Sequence, residues 1–199
     1  MNSQLTIVMV RHAEPVDFER KHGAVHRSGP ESEWNDRPLS VRGLRDATEM
    51  AETLCAEKPI AIYSSPYRRA RQTIEPLATL AGLSIVTIDD LRERLLSRNL
   101  SDDYREHARR AWEDFDYALE GGESSREAQR RVMQVLDELR NRHPKGIVVL
   151  ASHGNLIALA LNAITRHVGH DFQAAMPVPA VYRLRFADAA WQAEGPGLD

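Results

Sequence analysis

The pattern of this 199-residue chain predicts an α/β fold with a mostly parallel central sheet, and three features carry that expectation. Continuous β-branched and aliphatic runs, at residues 5–10 and 147–150 above all, suit strands covered on both faces, as parallel sheets are. These runs alternate with segments whose apolar residues recur at helical spacing, the order of βαβ units. Polar and charged residues gather where the strands end, and in open α/β sheets ligands bind beyond the carboxyl ends of the strands.

Size and composition set the frame. A chain of this length is read as one domain spanning 1–199, with a small helical insertion at 95–120, and it can bury a core without disulfides. A formal net charge of −3 gives no electrostatic case for nucleic acid or for an anionic membrane surface. Cys55 is the single cysteine, which leaves no disulfide framework and no cysteine-rich zinc site. No apolar run reaches the length of a membrane span, and the N-terminus enters a strand with no basic-then-apolar leader. The expected location is cytoplasmic. Nothing in the pattern sets an oligomeric state.

The opening strand, 5–10, stops at Arg11-His12. Residues 15–38 follow as a long irregular segment broken by Gly23, Gly29, Pro30 and Pro38; its position after Arg11-His12 favours a wall or lid over a site. His22 and His26 are four apart, but Gly23 between them argues against a helical metal pair. Ser40 suits an N-cap for a helix with Leu44, Ala47, Ala51, Leu54 and Cys55 inward, so Cys55 reads as a small core residue.

Pro59 ends that helix, and residues 60–63 form a second strand. Ser65 and Pro66 suit the N-cap and first position of the next helix, where Arg68, Arg69 and Arg71 crowd a terminus that already favours anions. At most one or two of those arginines share the face that looks towards a site. Pro76 is expected to kink this helix and Gly82 to cap it. A third strand, 84–88, leads to Glu93, and residues 95–119 read as inserted helix with Trp112, Phe115 and Leu119 as its apolar stripe.

Ser124 or Ser125 caps a long helix whose core face is Ala128, Val132, Val135, Leu136 and Leu139. The fourth strand, 147–150, runs into Ala151-Ser152-His153-Gly154-Asn155 and then directly into another helix. A second histidine thus sits at a strand-to-helix turn, beside a glycine that lets backbone approach a ligand. A last strand is expected at 181–186, and a short tail at 191–199. Two histidines, two arginines and an acid on one sheet edge fit phosphoryl transfer with a histidine nucleophile.

Six motifs in order resemble the histidine phosphatase superfamily, in its phosphoglycerate-mutase-like branch. They are VRHAE, WNDRPLSVRG, YSSPYRRARQT, LRER, GGES and ASHGN, spanning residue 5 to about 165. The resemblance implies a three-layer αβα sandwich with a mostly parallel central sheet. It also implies roles. His12 is the nucleophile, forming a phosphohistidine. Arg11, Arg69 and His153 surround the nonbridging oxygens, and Arg69 rather than Arg68 matches the arginine before alanine in the motif. Glu93 serves as general acid and base. Asn155 is expected to bind substrate and, with Glu123, to support the site. Members of this branch need no metal or organic cofactor for the transfer.

Ala13 replaces a glycine common after the nucleophile, and Ser97 replaces a glycine of mutase-type members. Pro15-Val16-Asp17-Phe18 stands where mutases carry Ser and Trp-Asn, which favours hydrolase over mutase. The leading expectation is a phosphatase acting on a small phosphorylated metabolite. The alternatives are a phosphoglycerate-type phosphomutase and a catalytically weak phospho-ligand binding protein. Ser152-His153-Gly154 lacks the flanking glycines of a serine-hydrolase elbow.

Overall fold

The computed structural model describes residues 4–16, 36–97 and 104–198. Strand β1 (Leu5–Arg11) is buried from end to end except at Arg11. Ile7 and Met9 face one helical layer while Val8 and Val10 face the other, which is why the run is apolar without alternation. The chain continues through α1 (Val41–Ala56), β2 (Ala61–Ser64), α2 (Arg68–Ala81) and β3 (Ile85–Thr87) to a 3-10 turn (Asp89–Leu91). Then come α3 (Tyr104–Glu113), α4 (Ser125–Arg142), β4 (Gly146–Ser152), α5 (Gly154–Ile164), α6 (His170–Ala175), β5 (Ala180–Ala187) and β6 (Ala190–Glu194).

The six strands form one sheet in the order β3-β2-β4-β1-β5-β6. The first four are mutually parallel, and β5 and β6 run antiparallel at one edge. Ala51 and Leu54 of α1 and Ala70, Ile74 and Leu77 of α2 cover one face; α4 and the almost wholly buried α5 cover the other. The result is an αβα sandwich around a mixed, mostly parallel sheet. Among the described residues no helix is long and apolar enough to cross a membrane.

Local chemistry sets the helix ends. Ser40 caps α1 by accepting from Gly43 N, and Ser124 and Glu127 form a reciprocal capping box on α4. Gly82, at φ 64°, takes the left-handed position that ends α2, and that helix passes through Pro76 without interruption.

Several expectations are corrected. Helix α2 starts at Arg68 with Tyr67 as its N-cap residue, so Ser65 and Pro66 lie ahead of it. Leu44 is exposed; the inner face of α1 is Gly43, Ala47, Ala51 and Leu54. The expected tail is strand β6, paired with β5 through a turn at Asp188-Ala189, both at positive φ. An alanine there hides the usual hairpin signature. Among the described residues of 95–120 there is one helix, α3, and Phe115 and Leu119 lie beyond its end, with Phe115 packed against the core in a turn. Six-residue α6 buries none of its residues, so it left no period to read.

Residues 17–35 of the long loop, with His22 and His26, and residues 98–103 lie outside the described residues. The ends of the loop meet: Val16 N donates to Pro38 O at 3.0 Å beside a Pro15–Leu39 bridge.

Candidate active site

Strand register assembles the site. Parallel pairing sets Arg11 opposite Ser152, and His12 N donates to Ser152 O at 3.0 Å. The two strands therefore deliver His12 and His153 to one level, with ring centroids 5.2 Å apart. On the other side of β4, Ser64 pairs with Ala151 and Ser65 N donates to Ala151 O at 2.9 Å, which brings Ser65 to the same edge.

Hydrogen-bond polarity fixes both imidazoles. His12 Nδ1 lies 2.8 Å from Ala13 O. A carbonyl only accepts, so Nδ1 carries the hydrogen and Nε2 keeps its lone pair. Arg69 NH2 donates to His153 Nδ1 at 3.1 Å, and a guanidinium only donates, so His153 carries its hydrogen on Nε2 and gives it to Ser65 Oγ at 2.8 Å. Burial, and then the charge of Arg69, hold both histidines well below the ordinary value of 6.5. Arg11 and Arg37 add to the effect on His12, against the opposing hydrogen bond to Ala13. Both rings are therefore neutral at pH 7.

Helix α2 is tied to the turn that follows His12. Thr73 Oγ1 accepts from Ala13 N at 2.9 Å and donates to Arg69 O at 2.7 Å. Of the three arginines in this stretch, Arg69 is buried against His153, while Arg68 reaches Asp36 at 3.5 Å and Arg71 is exposed. Arg11 is held from the opposite side by the carbonyls of Met176 and Pro177. Its guanidinium lies flat on Gly154: a Cβ there would stand 2.9 Å from Arg11 Nε and 3.0 Å from Cζ. That contact is the physical reason for glycine after His153.

Glu93 closes the group. Its Oε1 accepts from Arg94 N at 2.9 Å and Leu156 N at 3.0 Å, and its Oε2 accepts from Asn155 N at 3.1 Å. The carboxylate thus sits on the free N–H groups that begin α5, where the helix dipole favours an anion. The segment bearing Glu93 is pinned on three sides. Ser152 Oγ donates to Leu91 O at 2.8 Å, Arg131 NH1 donates to Asp90 O at 2.5 Å, and Arg94 NH1 donates to Ser125 Oγ at 2.8 Å. Glu123 holds Arg131 with two hydrogen bonds, at 2.6 and 2.8 Å, so its part is to brace this segment through Arg131.

The structure thus brings Arg11, His12, Arg69, Glu93, His153 and Asn155 to one edge of the sheet. Four contributors were not assigned from sequence. Ser65 reads locally as a helix cap, and Thr73 carries no local signal of a site. Arg37 lay unremarked inside WNDRPLSVRG, whose position after VRHAE was the available signal. Gln173 stands on α6 and receives Asn155 Nδ2 at 3.2 Å. Among the described residues no group of three or more His, Cys, Asp or Glu side chains is arranged to hold a metal ion.

A lone-pair-bearing imidazole flanked by guanidinium groups is suited to attack at phosphorus, with cations ready for the phosphoryl oxygens. Comparison with known proteins reaches the same chemistry. The profile of the histidine phosphatase superfamily (branch 1) matches residues 7–198. This chain belongs to that superfamily. It is 31% identical to phosphoserine phosphatase 1 of Hydrogenobacter thermophilus, over 74% of this chain and 70% of that protein. It is 35% identical to a glucosyl-3-phosphoglycerate phosphatase of Mycobacterium tuberculosis, over 64% of each. The solved structure of a mycobacterial glucosyl-3-phosphoglycerate phosphatase complexed with VO3 superposes with TM-score 0.75 at 27% identity, covering 98% of both chains. As a histidine phosphatase, the chain is an enzyme of phosphomonoester hydrolysis through a phosphohistidine.

Two outcomes follow from this geometry. Gly154→Ala displaces Arg11 rather than the fold, so kcat/KM should fall about 10²-fold while the urea midpoint moves little, as misplacing a positioned group does. Comparable loss in both would contradict the assignment. The second concerns pH. Because both histidines are depressed in the folded state, the unfolded chain binds more protons below 6.5. Stability is complete above that value and is lost as pH falls through the window between the unfolded and folded values. Urea midpoints at pH 7.5 and 5.0 should differ more in the wild type than in His12→Gln/His153→Gln; an equal difference would contradict it.

Proposed function

We propose that His12 is the nucleophile of a phosphatase acting on small phosphorylated metabolites. The observation that carries this reading is the Nε2 lone pair of His12, left open because Nδ1 is bound to Ala13 O, beside Arg69 and His153. In the first step Glu93 takes up a proton from solvent on Oε2, Nε2 attacks phosphorus, the bond to the substrate alcohol breaks, and Glu93 passes that proton to the departing oxygen. In the second step water attacks the phosphohistidine, Glu93 takes a proton from that water, and the N–P bond breaks to release phosphate. Arg11, Arg69 and His153 hold the nonbridging oxygens and spread the charge that builds there. Once its Nε2–H turns from Ser65, His153 has a hydrogen to offer a phosphoryl oxygen.

The hydrogen-bond count supports Glu93 in this role. Two N–H groups occupy both acceptor positions of Oε1, but among the described residues only Asn155 N binds Oε2. One position on Oε2 therefore remains for the travelling proton. The transfer runs on these side chains without a metal or organic cofactor. A cytoplasmic setting belongs to the same proposal, supported by a single cysteine and no disulfide framework.

His12→Ala should lower kcat on p-nitrophenyl phosphate by at least about 10³-fold, since the covalent route is lost. Unchanged turnover would remove the nucleophile assignment. Glu93→Gln should cost about 10²–10⁴-fold on an alkyl phosphomonoester. It should cost far less on p-nitrophenyl phosphate, whose leaving group departs without a proton. Equal losses on both substrates would contradict the role of Glu93 as acid.

A further inference from the structure

A chain of hydrogen bonds running in from two helices outside the sheet fixes which way the Asn155 amide faces. Trp112 on α3 donates its indole Nε1–H to Gln173 Oε1 at 3.1 Å. An indole nitrogen has no acceptor function, so the atom of Gln173 that meets it must be the oxygen. That same oxygen lies 3.2 Å from the Asn155 amide, which must therefore present Nδ2–H to it. With Nδ2 committed, Asn155 Oδ1 is left as an acceptor that cannot be exchanged for a donor by rotating the amide. It is buried and has no hydrogen-bond partner among the described residues, on a side chain belonging to a residue only 9% exposed. A buried acceptor without a partner is costly, so its donor should arrive with whatever fills the site. The backbone N–H of the same residue binds Glu93 Oε2 at 3.1 Å, so Asn155 stands at the start of α5 beside the proposed proton donor to the leaving alcohol.

A phosphate dianion brings only acceptor oxygens and cannot satisfy Oδ1. The donor has to sit on the alcohol half of the substrate. We propose that Asn155, with its amide oriented by Trp112 and Gln173, selects phosphomonoesters whose alcohol carries an ammonium or hydroxyl group close to the ester oxygen. This rests on the phosphatase reading above and adds a substrate class to it. Trp112 and Gln173 are positioning residues in this scheme, since they act through Asn155.

The test compares kcat/KM for O-phospho-L-serine, 3-phospho-D-glycerate and 3-phosphonooxypropanoate, which carry an ammonium, a hydroxyl and neither group at the same carbon. p-Nitrophenyl phosphate reports the reaction itself. The wild type should prefer a donor-bearing substrate over 3-phosphonooxypropanoate by at least about tenfold, as sites built to bind a donor reject analogues lacking it. Which of the two donor-bearing substrates is preferred identifies the donor as ammonium or hydroxyl. The ratio should approach one in Asn155→Leu, which has no acceptor. It should also shrink in Gln173→Met, where the released amide turns either way and the Asn155 backbone contact to Glu93 remains. Equal kcat/KM across the three in the wild type, or a preference that survives both variants, overturns the proposal while turnover of p-nitrophenyl phosphate upholds the phosphatase reading. No turnover of any of the four overturns both.

Discussion

The parallel pairing of β1 with β4, in the register that sets Arg11 against Ser152, is the constraint on which the rest depends. Side chains alternate along a strand, so a slip of one residue would turn Arg11 to the α1–α2 face and His12 to the other. Two-sided burial prevents that slip, because Ile7 and Met9 are matched to one helical layer and Val8 and Val10 to the other. Packing in the core thus decides where the imidazoles stand. Beyond the last ladder position, the His12 N–H to Ser152 O bond carries the register into the site.

Given that register, the electrostatics follow from burial among cations. Two neutral imidazoles beside one buried and one half-buried guanidinium group are a poor arrangement for an empty protein and a good one for an anion. Arg69 is partly satisfied by His153, and Arg11 by the Met176 and Pro177 carbonyls. These are neutral acceptors, so an arriving phosphoryl group offers both arginines a stronger partner. Burial, and then the same cations, hold His12 below its ordinary value, which links anion binding to nucleophilicity. Glu93 is fixed by the N–H groups that begin α5, close enough for its charge to act on Arg11.

Much of this was legible in the sequence because burial and strand ends leave strong marks. The unalternating run before Arg11, the second run before His153 and the glycine after it each follow from a physical need that the structure displays. What stayed hidden has physical reasons too. Strand β6 begins after a turn of Asp188 and Ala189 at positive φ, residues that do not announce a hairpin. Ser65 resembles a helix cap in every local respect, and only the β2–β4 register brings its hydroxyl under His153. Gln173 and Trp112 are joined across 61 positions of chain by a single hydrogen bond, which no local pattern encodes. Glu123 sits in a motif of the site yet acts through Arg131, a distinction that only contacts reveal.

The atom that takes the phosphoryl group decides the chemistry of the site. With His12 Nδ1 bound to Ala13 O, the only nitrogen of that ring free to attack is Nε2. Rapid alkaline quenching during turnover, followed by peptide mapping and ³¹P NMR of the trapped species, reads this directly. The expected result is an alkali-stable, acid-labile phosphohistidine on His12, linked through Nε2. A phosphoryl group on Nδ1 or on any other residue, or turnover with no trapped enzyme species when hydrolysis of the intermediate limits the rate, would contradict it.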